Sequence, residues 1–148
     1  MITTKIIDSQ HKVDINILNE PFKLFGRILV TYHDGKWDYQ LKKYSSEKVT
    51  EMRFPDENYD YDAMKDSVFV GAYDGKKCIG LAILQPGFFK YMYLSDLKVN
   101  KKYRGQHVGQ KLIAKAKEIA REKGYAGLYT QGQDNNPGAC LFYLKTGF

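Results

Sequence analysis

The sequence predicts an α+β fold built around one mixed β-sheet. Asp-Gly pairs at residues 34–35 and 74–75 each separate two strand-like segments, which is a strong signal for a β-hairpin. Residues 91–131 form a strand, helix, strand pattern, whose two strands should be parallel with a right-handed crossover. Hairpins give antiparallel pairs and a crossover gives a parallel pair, so one sheet that contains both is mixed.

Length and composition indicate a single domain over residues 1–148. No apolar run approaches the roughly 20 residues of a membrane-spanning helix. The N-terminus also lacks the apolar segment of a signal peptide. We therefore expect a cytoplasmic protein with no membrane partner. The 2 cysteines are too few for a disulfide framework and have no metal-ligand spacing, which favours reduced thiols and no metal site.

The predicted elements follow from local patterns taken in chain order. The first twenty residues are weakly patterned and are left unassigned. Strands are predicted at 22–31, 37–41, 67–73, 77–84, 91–99 and 127–131, and helices at 46–52, at 108–123 and after residue 136. Asn136 can cap the last helix, and Pro137 suits its first position.

Alternation along the strand at 91–99 separates its side chains into two sets. Ser95, Leu97 and Val99 share one face, whereas Asp96 and Lys98 share the other. The helix that follows carries an apolar face for packing on the sheet. Its outer face is rich in lysine and is solvated.

The turn at residues 100–109 predicts an anion site. It is basic and rich in glycine, and it opens into a helix whose first backbone N–H groups have no partner within the helix. Residues 90–148 hold 11 Lys/Arg and 4 Asp/Glu, whereas residues 1–89 hold 12 and 13. A phosphorylated ligand satisfies this asymmetry, and so does nucleic acid.

An acidic and aromatic stretch precedes the central strands. Its carboxylates and rings offer charge and surface for a cationic substrate, together with Trp37. The candidate substrate-binding residues of the stretch are Asp56, Tyr59, Asp60, Tyr61 and Asp62. A solvated acidic surface explains the same composition.

Two motifs make the sequence resemble the Gcn5-related N-acetyltransferase superfamily. The first is Arg104-Gly105-Gln106-His107-Val108-Gly109 after the strand that ends at Val99. The second is the spacing of Asn136, Ala139, Tyr143, Gly147 and Phe148. Together they cover roughly residues 67–148, and the runs at 129–131 and 136–143 are most similar to the streptothricin acetyltransferases, an antibiotic-inactivating group.

The resemblance implies a sheet with helices on both faces and transfer of acetyl from acetyl-CoA to a primary amine. Tyr143 would be the general acid, although it could also only pack against the CoA arm or the core. Asp96 would be a base acting through water or an anchor for the substrate ammonium, unless it pairs with a neighbouring lysine. The residues implied in cofactor binding are Leu97, Lys98, Val99, Arg104, Gly105, Gln106, His107, Val108, Gly109, Gln131, Asn136, Ala139 and Tyr143. For Asn136, helix capping is the competing role.

The sequence departs from the superfamily pattern in two places. His107 stands where glycine is preferred, so its side chain must point away from a bound phosphate or meet it. The superfamily sheet continues beyond Gly147-Phe148, so we expect missing C-terminal strands, completion by a partner chain, or a homodimer.

Streptothricin is the substrate that the resemblance favours, and polyamines or protein and peptide amines are alternatives. A catalytically inactive CoA-binding domain and a nucleic-acid-binding module are readings from other classes. We expect no nucleic-acid partner, since nucleic-acid binding leaves the C-terminal motif unexplained.

Overall fold

The computed structural model describes all residues from Met1 to Phe148. The chain forms nine strands, two α-helices and three short 3-10 helices. The strands are β1 Ile2–Ile6, β2 Phe22–Leu24, β3 Gly26–His33, β4 Lys36–Lys43, β5 Thr50–Met52, β6 Val68–Asp74, β7 Lys77–Pro86, β8 Tyr91–Val99 and β9 Gly127–Tyr129. The α-helices are α1 Val108–Glu122 and α2 Pro137–Lys145, and the 3-10 helices are Ser9–Asn16, Ser46–Lys48 and Lys101–Tyr103.

Most of the strands and both α-helices were predicted, although the single strand predicted at 22–31 is divided into β2 and β3. Strand β1 lies in the stretch left unassigned. The helix predicted at 46–52 is wrong, because that segment is a single 3-10 turn followed by β5. Neither α-helix is long and apolar enough to cross a membrane.

The chain divides into two compact units. The first, here called the sheet unit, comprises Met1–Asn19 and Pro55–Thr130. The second, here called the hairpin unit, comprises Glu20–Phe54 and Gln131–Phe148.

The sheet unit is built on a five-stranded sheet of order β1-β6-β7-β8-β9. Only the β8–β9 pair is parallel, and the other three pairs are antiparallel. The sheet is therefore mixed, as predicted. Helix α1 covers one face, where a β carbon on Gly80 would lie 3.1 Å from Leu112.

The opposite face of the sheet is covered by the 3-10 helix Ser9–Asn16 and the loop at 55–64. Buried residues there form one cluster of Ile7, Ile15, Phe69, Leu81 and Ile83, with Ile17, Tyr59, Tyr61 and Met64 packed against it. This second layer places the acidic stretch of the sequence directly against the sheet.

Strand β8 contains a β-bulge. Leu84 pairs with Leu94 and Ile83 pairs with Asp96, so Ser95 is an extra residue. The bulge places Leu94 on the α1 face together with Leu97, and it leaves Asp96 and Lys98 on the opposite face. The alternation predicted for residues 96–99 holds.

The hairpin unit contains two two-stranded sheets, β2–β5 and β3–β4, together with α2. The β3–β4 hairpin is amphipathic, because its cross-strand pairs alternate between apolar and polar. One face carries the pairs Ile28–Leu41, Val30–Tyr39 and Tyr32–Trp37. Ile28 is buried, whereas the indole of Trp37 at the far end is 74% exposed.

Candidate active site

A gap opens between the parallel strands β8 and β9. Their pairing ends at Tyr93 and Tyr129, and the Thr130 hydroxyl then donates to the carbonyl of Leu94 at 2.8 Å. The rest of β8 is paired on its β7 side alone.

Beyond this point β8 directs toward the gap backbone groups that β7 does not use, and one of them, the Val99 carbonyl, accepts from Nε of Arg104 at 3.3 Å. The Asn100 N–H donates to the Ile79 carbonyl at 2.8 Å, so Asn100, and Lys98 by alternation, direct their backbone groups toward β7. Leu97 and Val99 direct theirs to the other side, where β9 has departed. This agrees with the pantetheine contacts implied for Leu97 and Val99. The backbone of Lys98, which was also predicted to bind the cofactor, is directed toward β7.

The turn after β8 supplies backbone donors at the start of α1. The N–H groups of residues 105–110 have no acceptor within the protein, and the first bond of this turn runs from the Lys111 N–H to the His107 carbonyl. The Arg104 N–H differs, since it donates to the Lys101 carbonyl at 3.3 Å. These free donors and the positive end of the helix dipole suit a pyrophosphate.

His107 occupies the glycine-preferring position with a left-handed backbone, at φ 64°. Its imidazole Nδ1 lies 2.7 Å from Oε1 of Gln110, one turn along the helix. The ring is therefore engaged by a side chain of its own helix.

Asp96 is the centre of a polar cluster on the face opposite α1. Its Oδ2 accepts a 3.0 Å hydrogen bond from Tyr59 and lies 3.3 Å from Nζ of Lys98. The Lys98 ammonium also contacts Glu57 at 2.9 Å and the Ile17 carbonyl at 3.4 Å. The side chains of Asp96 and Lys98 are only 18% and 11% exposed. All contacts of Asp96 are made by one oxygen, so Oδ1 stays available to a ligand.

Burial and charge act in opposite directions on this cluster. Burial raises the pKa of Asp96, and the nearby Lys98 and Tyr59 only partly offset it. Burial also acts to raise the pKa of Glu57, but the hydrogen bond and charge of Lys98, a backbone hydrogen bond and the hydrogen bond from Asn19 together outweigh it, so that pKa is lowered. The Asp96 carboxylate is thus a stronger base than an ordinary aspartate.

The remaining residues of the acidic stretch stabilise the loop itself. Asp60 accepts from the N–H groups of Asp62 and Ala63, and Asp62 pairs with Lys12 at 3.2 Å. Asp56 accepts from the backbone N–H of Asn19 at 2.8 Å.

Tyr61 has a place in the apolar core rather than in the polar cluster. Its ring contacts Phe69 at 5.5 Å. Of the predicted substrate residues, only Tyr59 therefore joins the cluster at Asp96.

The hairpin unit holds the other candidate residues. Trp37 packs against Tyr32 on the exposed hairpin face. Asn136 caps α2 by accepting from the Ala139 N–H at 3.3 Å. Tyr143 is half-buried on α2, with its ring edge-on to Phe148 at 5.4 Å. Gln131 is exposed.

The sequence did not identify Glu57 as part of the cluster. The ion pair between Asp96 and a neighbouring lysine, given as the alternative to a base or anchor role, is present with Lys98 at 3.3 Å. Glu57 and Lys98 are 41 residues apart, and no local pattern connects them. Their contact results from the loop at 55–64 folding over β8.

Comparisons with known proteins agree with this arrangement. The acetyltransferase (GNAT) family model matches residues 30–148. Streptothricin acetyltransferase A of Bacillus subtilis (strain 168) is 33% identical over 135 residues, which are 91% of this chain and 78% of that protein.

Two solved structures share the fold. One is a Bacillus anthracis str. Ames protein, assigned as a streptothricin acetyltransferase and in complex with acetyl coenzyme A. Its TM-score is 0.86 at 24% identity, and the match covers 99% of this chain and 84% of that one. The other is nourseothricin acetyltransferase, with a TM-score of 0.77 at 22% identity, covering 99% and 82%.

Proposed function

The chain belongs to the acetyltransferase (GNAT) family, with acetyl-CoA as the acetyl donor, and we propose that its acceptor is a primary amine of streptothricin or a similar cationic small molecule. The observation that carries the proposal is the position of the Asp96 carboxylate on β8. The edge of β8 that faces away from β7 borders the gap. Donor and acceptor sites can then share β8. The proposal includes a cytoplasmic location.

The donor would lie along β8 and the turn. Backbone groups of Leu97 and Val99 would pair with the pantetheine arm, much as an added strand pairs with a sheet edge. The free N–H groups at 105–109 would receive the pyrophosphate. Arg104 would contribute its guanidinium, which donates to the Val99 carbonyl at 3.3 Å in the free protein.

Acetyl transfer requires a neutral amine, because an alkylammonium with a pKa near roughly 10.4 has no lone pair for attack. We assign the removal of that proton to Asp96, directly or through one water. The neutral amine nitrogen then forms the new C–N bond as the C–S bond breaks, and the second proton that the nitrogen loses replaces the one given to the departing thiolate. Tyr143 is assigned the role of protonating the departing thiolate, and Asn136 and Ala139 the role of lining the acetyl end.

Acceptor specificity is tested by measuring acetyl-CoA turnover with streptothricin, spermidine and a lysine peptide side by side. The proposal expects the highest kcat/KM with streptothricin. A preference for spermidine or the peptide would reassign the substrate class, and no turnover with any amine would favour a CoA-binding domain without catalysis.

Two substitutions test the assigned roles. Tyr143→Phe should bind acetyl-CoA normally and turn over far more slowly, and Asp96→Asn should lose activity without losing acetyl-CoA affinity. Near-normal turnover of Tyr143→Phe would restrict that residue to packing.

Neutralising Asp56, Asp60 and Asp62 tests whether the acidic loop attracts the cation, since the substrate KM should then rise more than the acetyl-CoA KM.

We also propose weak self-association through the apolar face of the β3–β4 hairpin. Its three exposed rings, Tyr32, Trp37 and Tyr39, leave roughly 400 Å² uncovered per copy if an aromatic side chain presents about 200 Å². Two such faces would bury about 800 Å², which is below the roughly 1,200–2,000 Å² of a stable interface, so the association would be weak. Light scattering across a wide concentration range should show dimers that Trp37→Ser abolishes.

A further inference from the structure

Two stacked tyrosines lie where the gap between β8 and β9 begins. Tyr93 and Tyr129 form the last residue pair of the parallel ladder. Their ring centroids are 4.9 Å apart with an interplanar angle of 26°. Side chains of paired residues in neighbouring strands lie on the same face, so both rings stand together at the closed end of the gap.

The turn between β7 and β8 leaves room for the ring of Tyr129. A β carbon on Gly87 would lie only 2.4 Å from a ring carbon of Tyr129, so glycine is required for the ring to take its place. Phe88 adds a third ring, 6.3 Å from that of Tyr129. The stack is therefore a defined feature of the sheet unit.

The stack also shares a face of the sheet with Asp96. Gln85 pairs with Tyr93 and Ile83 pairs with Asp96, and these two residues of β7 point to the same side. That side is opposite α1. The acceptor's amine would meet Asp96 there, and the next groups along β8 toward the gap's closed end are the two rings.

Both rings are half-buried, and their hydroxyls are not sealed from solvent, since no buried polar side-chain atom lacks a hydrogen-bond partner. The Tyr129 ring meets the rings of both Tyr93 and Phe88, whereas the Tyr93 ring meets that of Tyr129 alone. A ligand would therefore contact the hydroxyls and the face of Tyr93 that is turned away from Tyr129. An aromatic face beside a carboxylate suits a positively charged ammonium group, which binds over the ring by a cation–π contact.

We propose that Tyr93 and Tyr129 form an ammonium subsite for the acceptor, beside the Asp96 carboxylate. The ligand class is a polyamine-like arm that carries a second ammonium group beyond the reacting one. The inference rests on the proposed function, because it names a contact for the same acceptor. It adds a site that is made by β8 and β9 themselves rather than by the acidic loop.

The test uses the full chain and compares ring removal with hydroxyl removal. Tyr93→Leu and Tyr129→Leu should each raise the KM for streptothricin about tenfold and leave the acetyl-CoA KM unchanged. Tyr93→Phe and Tyr129→Phe keep the ring and should stay within about twofold of the wild type. Calorimetric titration of streptothricin into the CoA-bound protein should show the same loss of affinity in the leucine variants.

Tyr91→Leu is the matched control, since it removes an exposed tyrosine from the same strand before the gap. An equal rise in KM for Tyr91→Leu would mean that strand disturbance explains the effect, and the subsite would be rejected. Unchanged streptothricin KM in both leucine variants would also reject it. Failure of the proposed function gives a different result, because the wild type itself would then acetylate streptothricin poorly or not at all.

Discussion

The Tyr59 hydroxyl donates a 3.0 Å hydrogen bond to Oδ2 of Asp96, across 37 positions of sequence. The bond fixes the loop at 55–64 to the central strand. It also leaves the other carboxylate oxygen, Oδ1, without a protein partner. This hydrogen bond thus holds the loop at 55–64 in place and orients the Asp96 carboxylate, which we assign as the base.

Removing the Tyr59 hydroxyl should shift the pH dependence of activity. Its hydrogen bond lowers the pKa of Asp96 against the raising effect of burial, so Tyr59→Phe should raise that pKa further. Asp96 accepts a proton only when it is ionised, and kcat/KM should therefore begin to fall at a higher pH in the variant. The profile of kcat/KM against pH measures this shift. Tyr61→Phe is the control, because Tyr61 does not contact Asp96; an identical profile for Tyr59→Phe would refute the role.

Replacing Glu57 should cost stability near neutral pH. The pKa of Glu57 is lowered in the folded protein, so its ionised form stabilises the fold above its unfolded pKa, and that contribution is lost as pH falls through the folded pKa. Thermal unfolding should show Glu57→Gln with a lower Tm than the wild type at neutral pH. The difference should shrink below about pH 4. Glu51→Gln, at an exposed position, should show no such trend.

The left-handed backbone conformation at His107 should lower the stability of any variant that keeps a β carbon there. Alanine keeps the unfavourable conformation, whereas glycine adopts it freely, and both remove the contact with Gln110. His107→Gly should therefore be more stable than His107→Ala by about 1 kcal/mol, measured by urea unfolding. Equal stability of the two variants would show that the turn relaxes when the imidazole is lost.

The thiol of Cys78 should react slowly in the folded protein. Burial raises the pKa of Cys78 to about 11. At pH 8 only about a thousandth of the thiol is then ionised, so alkylation should be roughly two-hundred-fold slower than for an ordinary cysteine. The rate is measured by mass spectrometry in a Cys140→Ser background. Alkylation at the same rate in the folded and urea-unfolded chains would contradict the prediction.

Local patterns predicted much of the fold. Hairpin turns, the amphipathic α1 and the Asn136 cap depend on neighbouring residues, and each lies where it was expected. The position of the turn at residues 100–109 before α1 was also predicted, because its basic and glycine-containing sequence is a local signal. The bulge at Ser95 was not located, since it depends on pairing with β7.

The acceptor side depends on contacts between distant segments. The acidic stretch was expected to act through Asp56, Tyr59, Asp60, Tyr61 and Asp62. The structure brings Tyr59 to Asp96 and the unpredicted Glu57 to Lys98, whereas the three aspartates stabilise the loop. Which acid of such a stretch turns inward is decided by the packing of the loop on the sheet. No spacing in the sequence encodes that choice.

The extra residue Ser95 shifts by one position the alternation of β8 side chains between the two faces of the sheet. Before Ser95, the buried Met92 and Leu94 face α1; after it, the half-buried Leu97 and Val99 do. Without Ser95, the side chains of one half of β8 would face the opposite side of the sheet. Either Leu94 would leave the face that packs on α1, or Asp96 and Lys98 would leave the face opposite α1. Deleting Ser95 should therefore disrupt folding and catalysis together. Insertions or deletions in β8 are consequently harder for this protein to tolerate than any single substitution there.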